Sequence, residues 1–247
     1  METKQGLKNY TNGYKNPGPW EVLETEHYIF HYVKNSVAQR ELEHIVKTQE
    51  KAHAKITKIL ELKDTSQKIK YYIYQSGVDK KRLMGDDGFA QAIWHDNSIH
   101  IVYTEDIKPI GKHEDVHLLT LSWGVAIGFF QEGLAEYMSG CVWGKDKKQS
   151  EDFVRKGLDS KNISDLKNFF SHTFWIEHAD KNIEYYYPLA GTFTRFLINR
   201  FGLGKYKELY TKIRRKNSQE ENIKIFEEIF GDLNKVTGNY FKTISSA

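Results

Sequence analysis

Apolar and polar positions alternate from His27 to Tyr32, with Tyr28, Phe30 and Tyr32 on one side and His27, Ile29 and His31 on the other. A period of two predicts a β-strand. Ser36 followed by Gln39 has the form of a capping box. Behind it, Leu42, Ile45, Ala52, Ile56 and Ile59 recur at helical spacing and predict a long amphipathic helix to about Leu62. Ile69, Tyr71 and Ile73 alternate with Lys70, Tyr72 and Tyr74 as a second strand, and Ile99, Ile101 and Tyr103 mark a third. Between them, Gly85 to Gly88 reads as a turn. Past Tyr103 the strand signals stop. The remainder predicts helices, broken at Gly140 to Gln149, near Pro188 and at Gly202 to Gly204.

Strands first and helices afterwards predict an α+β fold: an N-terminal mixed sheet with one long helix, then a mostly helical C-terminal half. Residues 1–19, polar and rich in Lys, Asn, Gly and Tyr, read as an irregular tail. Residues 20–247 read as a single domain, with an α/β half to about residue 105 and a helical half from about residue 109.

Charge narrows the function. In 247 residues, 36 basic side chains face 33 acidic ones, and the lysines are spread along the chain. That balance argues against a nucleic-acid binder, which carries a clustered basic excess. No stretch approaches the ~20 apolar residues of a membrane span. Met1 to Pro19 has no apolar signal core, so a cytoplasmic protein is expected unless a leader has been removed. Nothing in the sequence fixes an oligomeric state. The single cysteine, Cys141, excludes an internal disulfide framework and a cysteine-rich zinc site, and is expected to pack as a small hydrophobe.

The candidate chemistry lies just past the third strand. Lys112-His113-Glu114-Asp115-Val116-His117 contains His-Glu-x-x-His. On a helix, positions i and i+4 share a face, so two imidazoles there can hold one zinc ion. Glu114 then stands beside the open metal position, where it can take a proton from water. Asp115 departs from the uncharged residues usual in such helices, and Lys112 offsets its charge from a neighbouring position. The competing reading is a surface helix with two solvated histidines.

Phe130-Gln131-Glu132-Gly133-Leu134-Ala135-Glu136-Tyr137 supplies the other half. A catalytic zinc takes three protein ligands and keeps one position open. Glu132, at the start of a strongly helical run, is the natural third ligand. Glu136 lies one turn further on the same face, placed to accept a hydrogen bond from a ligand histidine and fix its tautomer. Two exposed glutamates are the alternative. The apolar company of Phe129, Phe130, Leu134, Ala135 and Tyr137 opposes that, because buried carboxylates need partners or a metal.

His-Glu-x-x-His followed by Glu-Gly-Leu-Ala-Glu-Tyr resembles the gluzincin, or peptidase MA-like, zinc metallopeptidases, which include thermolysin and the neutral aminopeptidases. The resemblance implies a zincin-like domain with His113, His117 and Glu132 on zinc, Glu114 as general base and Glu136 supporting a ligand histidine. Tyr187-Pro188-Leu189-Ala190-Gly191-Thr192-Phe193-Thr194-Arg195-Phe196-Leu197 is similar to an aminopeptidase segment whose Tyr hydrogen-bonds the tetrahedral intermediate, which implies Tyr187 here. The order of elements follows the family from about residue 20 to 245; the three quoted segments are its specific part. Two departures stand out. Only 14 residues separate His117 from Glu132, with Gly124 and Gly128 in the gap, as a shorter hairpin between the two helices would require. The Gly-x-Met-Glu-Asn segment that grips a free amine is absent.

The sequence therefore predicts a zinc-dependent endopeptidase acting on a peptide or protein. The alternative is a non-catalytic zinc-binding module that holds a partner peptide in the same cleft. By resemblance, an extended substrate is expected against an edge strand, Gly88 to Ile93 or Ser98 to Val102. His95, His100, His172 and His178 read as surface or hydrogen-bonding residues, and no metal role is expected for His44 or His53. Arg214-Arg215-Lys216 reads as a solvated turn.

Overall fold

The three alternating segments become strands of a five-stranded mixed sheet in the computed structural model, which describes residues 20–63, 67–140, 146–163 and 165–245. The expected tail and Cys141 lie outside the described residues. The chain divides into two compact units, Met1–Leu119 and Thr120–Ala247.

The first unit holds β1 (Trp20–Glu24), β2 (Tyr28–Val33), α1 (Val37–Arg40), α2 (Leu42–Ile59), β3 (Ile69–Tyr74), α3 (Gly77–Met84), β4 (Ala90–Ile93), β5 (Ser98–Val102) and α4 (His113–Leu119). The strand order is β1-β2-β3-β5-β4. β2, β3 and β5 are parallel, and β1 and β4 run antiparallel at the two edges. Parallel neighbours need a crossover, and α1 with α2 supplies the one from β2 to β3. Tyr28, Phe30, Tyr71, Ile73, Ile99 and Ile101 are all buried, as the alternation requires. The ring of Tyr28 meets His53 of α2 at 6.1 Å, and its hydroxyl donates to the Gln49 carbonyl at 3.2 Å.

The opposite face carries a polar row. His31, Tyr72 and His100 pair in register and stack with centroid separations of 4.3 and 4.7 Å. His100 is fully buried between the Tyr74 hydroxyl (2.8 Å) and Ser98 Oγ (2.9 Å). Lys80, with no exposed surface, donates to Asp86 Oδ1, the Gly88 carbonyl and Gln91 Oε1 at 3.1, 2.6 and 2.7 Å. Those bonds tie the turn at Gly85 to Gly88 to the edge strand β4.

Several expectations need correction in this unit. β1 and α3 were not legible: β1 is a short, mostly exposed edge strand, and α3 has eight residues, too few for a periodic signal. The long helix is split at Glu41, whose carboxylate accepts from Tyr103 Oη and Lys108 Nζ, both at 2.6 Å. The capping box at Ser36 is half formed: Ser36 Oγ accepts from Gln39 N at 3.2 Å, but Gln39 Oε1 accepts from Asn35 N at 2.6 Å. Ile59 is 38% exposed, because α2 ends there and Leu60 turns inward in its place. Of the two proposed edge strands, only β4 is an edge; β5 lies between β3 and β4.

The second unit is helical: α5 (Gly128–Ser139), α6 (Lys147–Asp159), α7 (His172–His178), α8 (Ile183–Phe201), α9 (Leu203–Lys212), α10 (Gln219–Phe230) and α11 (Leu233–Ser245). α5 and α8 cross at its centre, amid an aromatic core that includes Phe129, Phe130, Phe169, Phe193 and Phe226. The break expected after α5 falls at Gly140 (φ +76°), and α6 begins behind the Asp146 cap, so Gln149 belongs to the helix. No break occurs at Pro188: α8 runs through it. The ring sits only six residues into the helix and removes one hydrogen bond near its end, a cost exceeded by burial along α8.

Candidate metal centre

α4 is a seven-residue helix, too short to persist by propensity alone, so its position must come from packing. Asp115, Val116 and Leu118 are its buried residues, and it packs on α2, β4 and β5. The i, i+4 spacing leaves His113 and His117 together, both half-buried, with ring centroids 5.1 Å apart and planes at 75°. Glu114 is half-buried on the same short helix.

Asp115 is not an anomaly of the motif but its anchor. Gln49 of α2, fully buried, donates from Nε2 to Asp115 Oδ2 at 2.9 Å. The same amide accepts from Gly111 N at 2.6 Å and donates to the Gly111 carbonyl at 3.2 Å. One side chain thus fixes both the helix and the segment leading into it. Burial, with Glu114 and Glu50 nearby, pushes the Asp115 carboxyl well above the ordinary carboxylate range. Gln49 was missed from sequence. The available signal was its place four residues after Ile45 on the apolar stripe of α2, where a polar side chain must find a buried partner.

In the second unit, α5 starts at Gly128, four residues earlier than expected, and Glu132 lies within its second turn, half-buried. The residues around Glu132 are pinned. Tyr206 Oη donates to the Phe130 carbonyl at 3.0 Å, and Arg215 Nη2 donates to Gln131 Oε1 at 2.6 Å. A Cβ on Gly133 would stand 2.4 Å from Thr194 Oγ1 and 2.7 Å from the Ala190 carbonyl oxygen, so glycine is what lets α5 and α8 approach there. Gly191 plays the same part from α8, against Glu136 Cβ at 2.7 Å. Glu136 itself is only 3% exposed.

One further correction concerns this region. Arg214 and Arg215 are not a solvated turn: Arg214 Nη2 donates to the Trp123 carbonyl at 3.3 Å and Arg215 Nε to the Ala126 carbonyl at 3.4 Å, bracing the chain that enters α5. His172 is hydrogen-bonded, as expected: its Nδ1 accepts from Gly128 N at 3.2 Å, satisfying one of the free donors at the start of α5. Tyr187 lies half-buried in the second turn of α8 with its ring 5.5 Å from that of Trp175.

One ligand atom from each of His113, His117 and Glu132 lies within 4.8 Å of the other two. Among the described residues this is the group of His, Cys, Asp and Glu side chains gathered closely enough to hold a metal ion. Ligand atoms tetrahedrally placed at ~2.0–2.1 Å from an ion stand about 3.4 Å apart, inside that limit. Two imidazole nitrogens and one carboxylate oxygen are a donor set suited to zinc, which in catalytic sites takes three protein ligands and one more. No helix among the described residues is long and apolar enough to cross a membrane. No family model matches this chain, and no curated protein matches it.

Proposed function

We propose that the protein is a zinc-dependent peptidase that cleaves within extended peptides. The observation that carries the reading is the convergence of His113, His117 and Glu132 within 4.8 Å. These three residues would hold the ion, and Glu136 would orient a ligand imidazole from one turn further along α5. Bound there, zinc would acidify a water molecule and polarise the scissile carbonyl. Glu114 takes the proton of the attacking water and returns it to the leaving amine. Tyr187 donates a hydrogen bond to the carbonyl oxygen as negative charge grows on it, and as a neutral phenol it does so without titrating at working pH.

The substrate side of the proposal rests on β4. It is an edge strand of four residues, packed against α4, with exposed Phe89 and Trp94 at its two ends. An extended peptide adds to such an edge through main-chain hydrogen bonds, and the two rings offer apolar contacts along it. The test is hydrolysis of amino-blocked peptides by the purified protein, before and after chelation and after zinc is restored. Turnover that survives complete metal removal would sink the proposal; zinc binding without turnover on any peptide would favour the non-catalytic module.

A further inference from the structure

A second site lies wholly within the helical unit. Helices α6, α8 and α11 line a pocket of about 290 Å³, open to solvent on one side and at the small end of ligand pockets. Its charged lining is Lys147 and Glu151 of α6 with Arg195 and Arg200 of α8, three cations to one carboxylate. Phe196 and Ile244 form an apolar wall.

Arg195 is the unusual member. Its side chain is 18% exposed, and its Nη1 is buried with no hydrogen-bond partner. Glu151 Oε1 stands 3.9 Å from that nitrogen and 3.7 Å from Lys147 Nζ, beyond hydrogen-bond reach of both. The neighbouring hydroxyls do not complete it, since Thr192 Oγ1 donates to the Pro188 carbonyl at 2.7 Å and pairs with Tyr240 Oη at 2.6 Å. A buried guanidinium nitrogen without an acceptor is costly, and the planar guanidinium is shaped to receive a carboxylate or phosphate.

We infer that this cavity binds a small oxyanion-bearing molecule, a carboxylate or a phosphate, with Arg195 as its principal donor and Lys147 and Arg200 adding positive potential. Glu151 limits the affinity by repelling the anion while it holds the cations in place. The site is separate from the metal-ligand residues, so occupancy does not depend on zinc.

Calorimetric titration of the full chain with inorganic phosphate, and separately with succinate, at matched ionic strength tests this. Saturable binding of at least one is expected, unchanged after chelation. Arg195→Gln is expected to weaken it by about 10–100-fold, the loss of a charge-assisted hydrogen bond. Glu151→Gln is expected to tighten it. Which probe binds distinguishes a phosphate from a carboxylate ligand. Saturable binding of neither probe overturns the inference, and so does full affinity in Arg195→Gln. Should Arg195→Gln not fold, an affinity for either probe that Glu151→Gln leaves unchanged overturns it equally.

Discussion

Gln49 Nε2 and Asp115 Oδ2 meet at 2.9 Å although they lie 66 positions apart in the chain. The contact fixes the helix that carries His113 and His117 to the long helix behind the sheet. Gln49→Leu removes this bond and both bonds to Gly111 while leaving Asp115 buried without its amide partner. The expected loss is about 2–4 kcal/mol of stability, read by denaturant unfolding with the slope unchanged. A variant within about 0.5 kcal/mol of wild type would show that α4 is held by its apolar residues alone.

The metal reading separates ligands from base. His113→Ala, His117→Ala and Glu132→Ala should each abolish tight zinc binding, whereas Glu114→Gln should keep stoichiometric zinc and lose most turnover. Glu136→Ala should weaken zinc by roughly 10–100-fold. Elemental analysis of the purified variants decides this, and full occupancy in His117→Ala would remove the assigned site.

Tyr187→Phe tests the proposed oxyanion donor. Loss of one such donor typically costs about 10²–10³ in turnover. Zinc content and KM should stay near wild type while kcat falls on that scale, with Tyr185→Phe and Tyr186→Phe milder. A fully active Tyr187→Phe enzyme would move the role elsewhere.

Gly133→Ala places a methyl group against Thr194 and the Ala190 carbonyl, with contacts of 2.4 and 2.7 Å to be relieved. Overpacking of this kind costs about 1–3 kcal/mol, more than the roughly 1 kcal/mol a helix gains from Gly→Ala. A lower melting temperature is expected, with weaker zinc binding if α5 shifts. An unchanged melting temperature would mean the two helices can move apart freely.

His100 makes stability depend on pH. Burial, with Lys80 nearby, lowers its pKa from 6.5 to about 3. The folded protein therefore holds it neutral while the unfolded chain protonates it. Its contribution is complete above about pH 6.5 and is lost as pH falls toward 3, by up to about 4–5 kcal/mol at ~1.4 kcal/mol per unit. His100→Gln should show a flatter stability profile between pH 6.5 and 4, measured by urea unfolding. Parallel profiles for the two proteins would refute the assignment.

By itself the sequence determined what local chemistry can specify. Period-two alternation marked β2, β3 and β5, helical spacing marked α2, and i, i+4 spacing paired His113 with His117, because each is a short-range pattern imposed by backbone geometry. Glu132 was named by the resemblance of Glu-Gly-Leu-Ala-Glu and by zinc's need for a third ligand. Elements whose stability comes from their neighbours left no such mark. β1 survives by pairing with β2, α3 is short, and α8 continues through Pro188 because its burial exceeds one lost hydrogen bond. Tertiary structure alone decided that Asp115 faces inward to Gln49, that Arg214 and Arg215 brace the entry to α5, and that Gly133 and Gly191 set the approach of two helices. Those are contacts between residues distant in the chain, selected by which polar groups must be satisfied once burial has removed them from water.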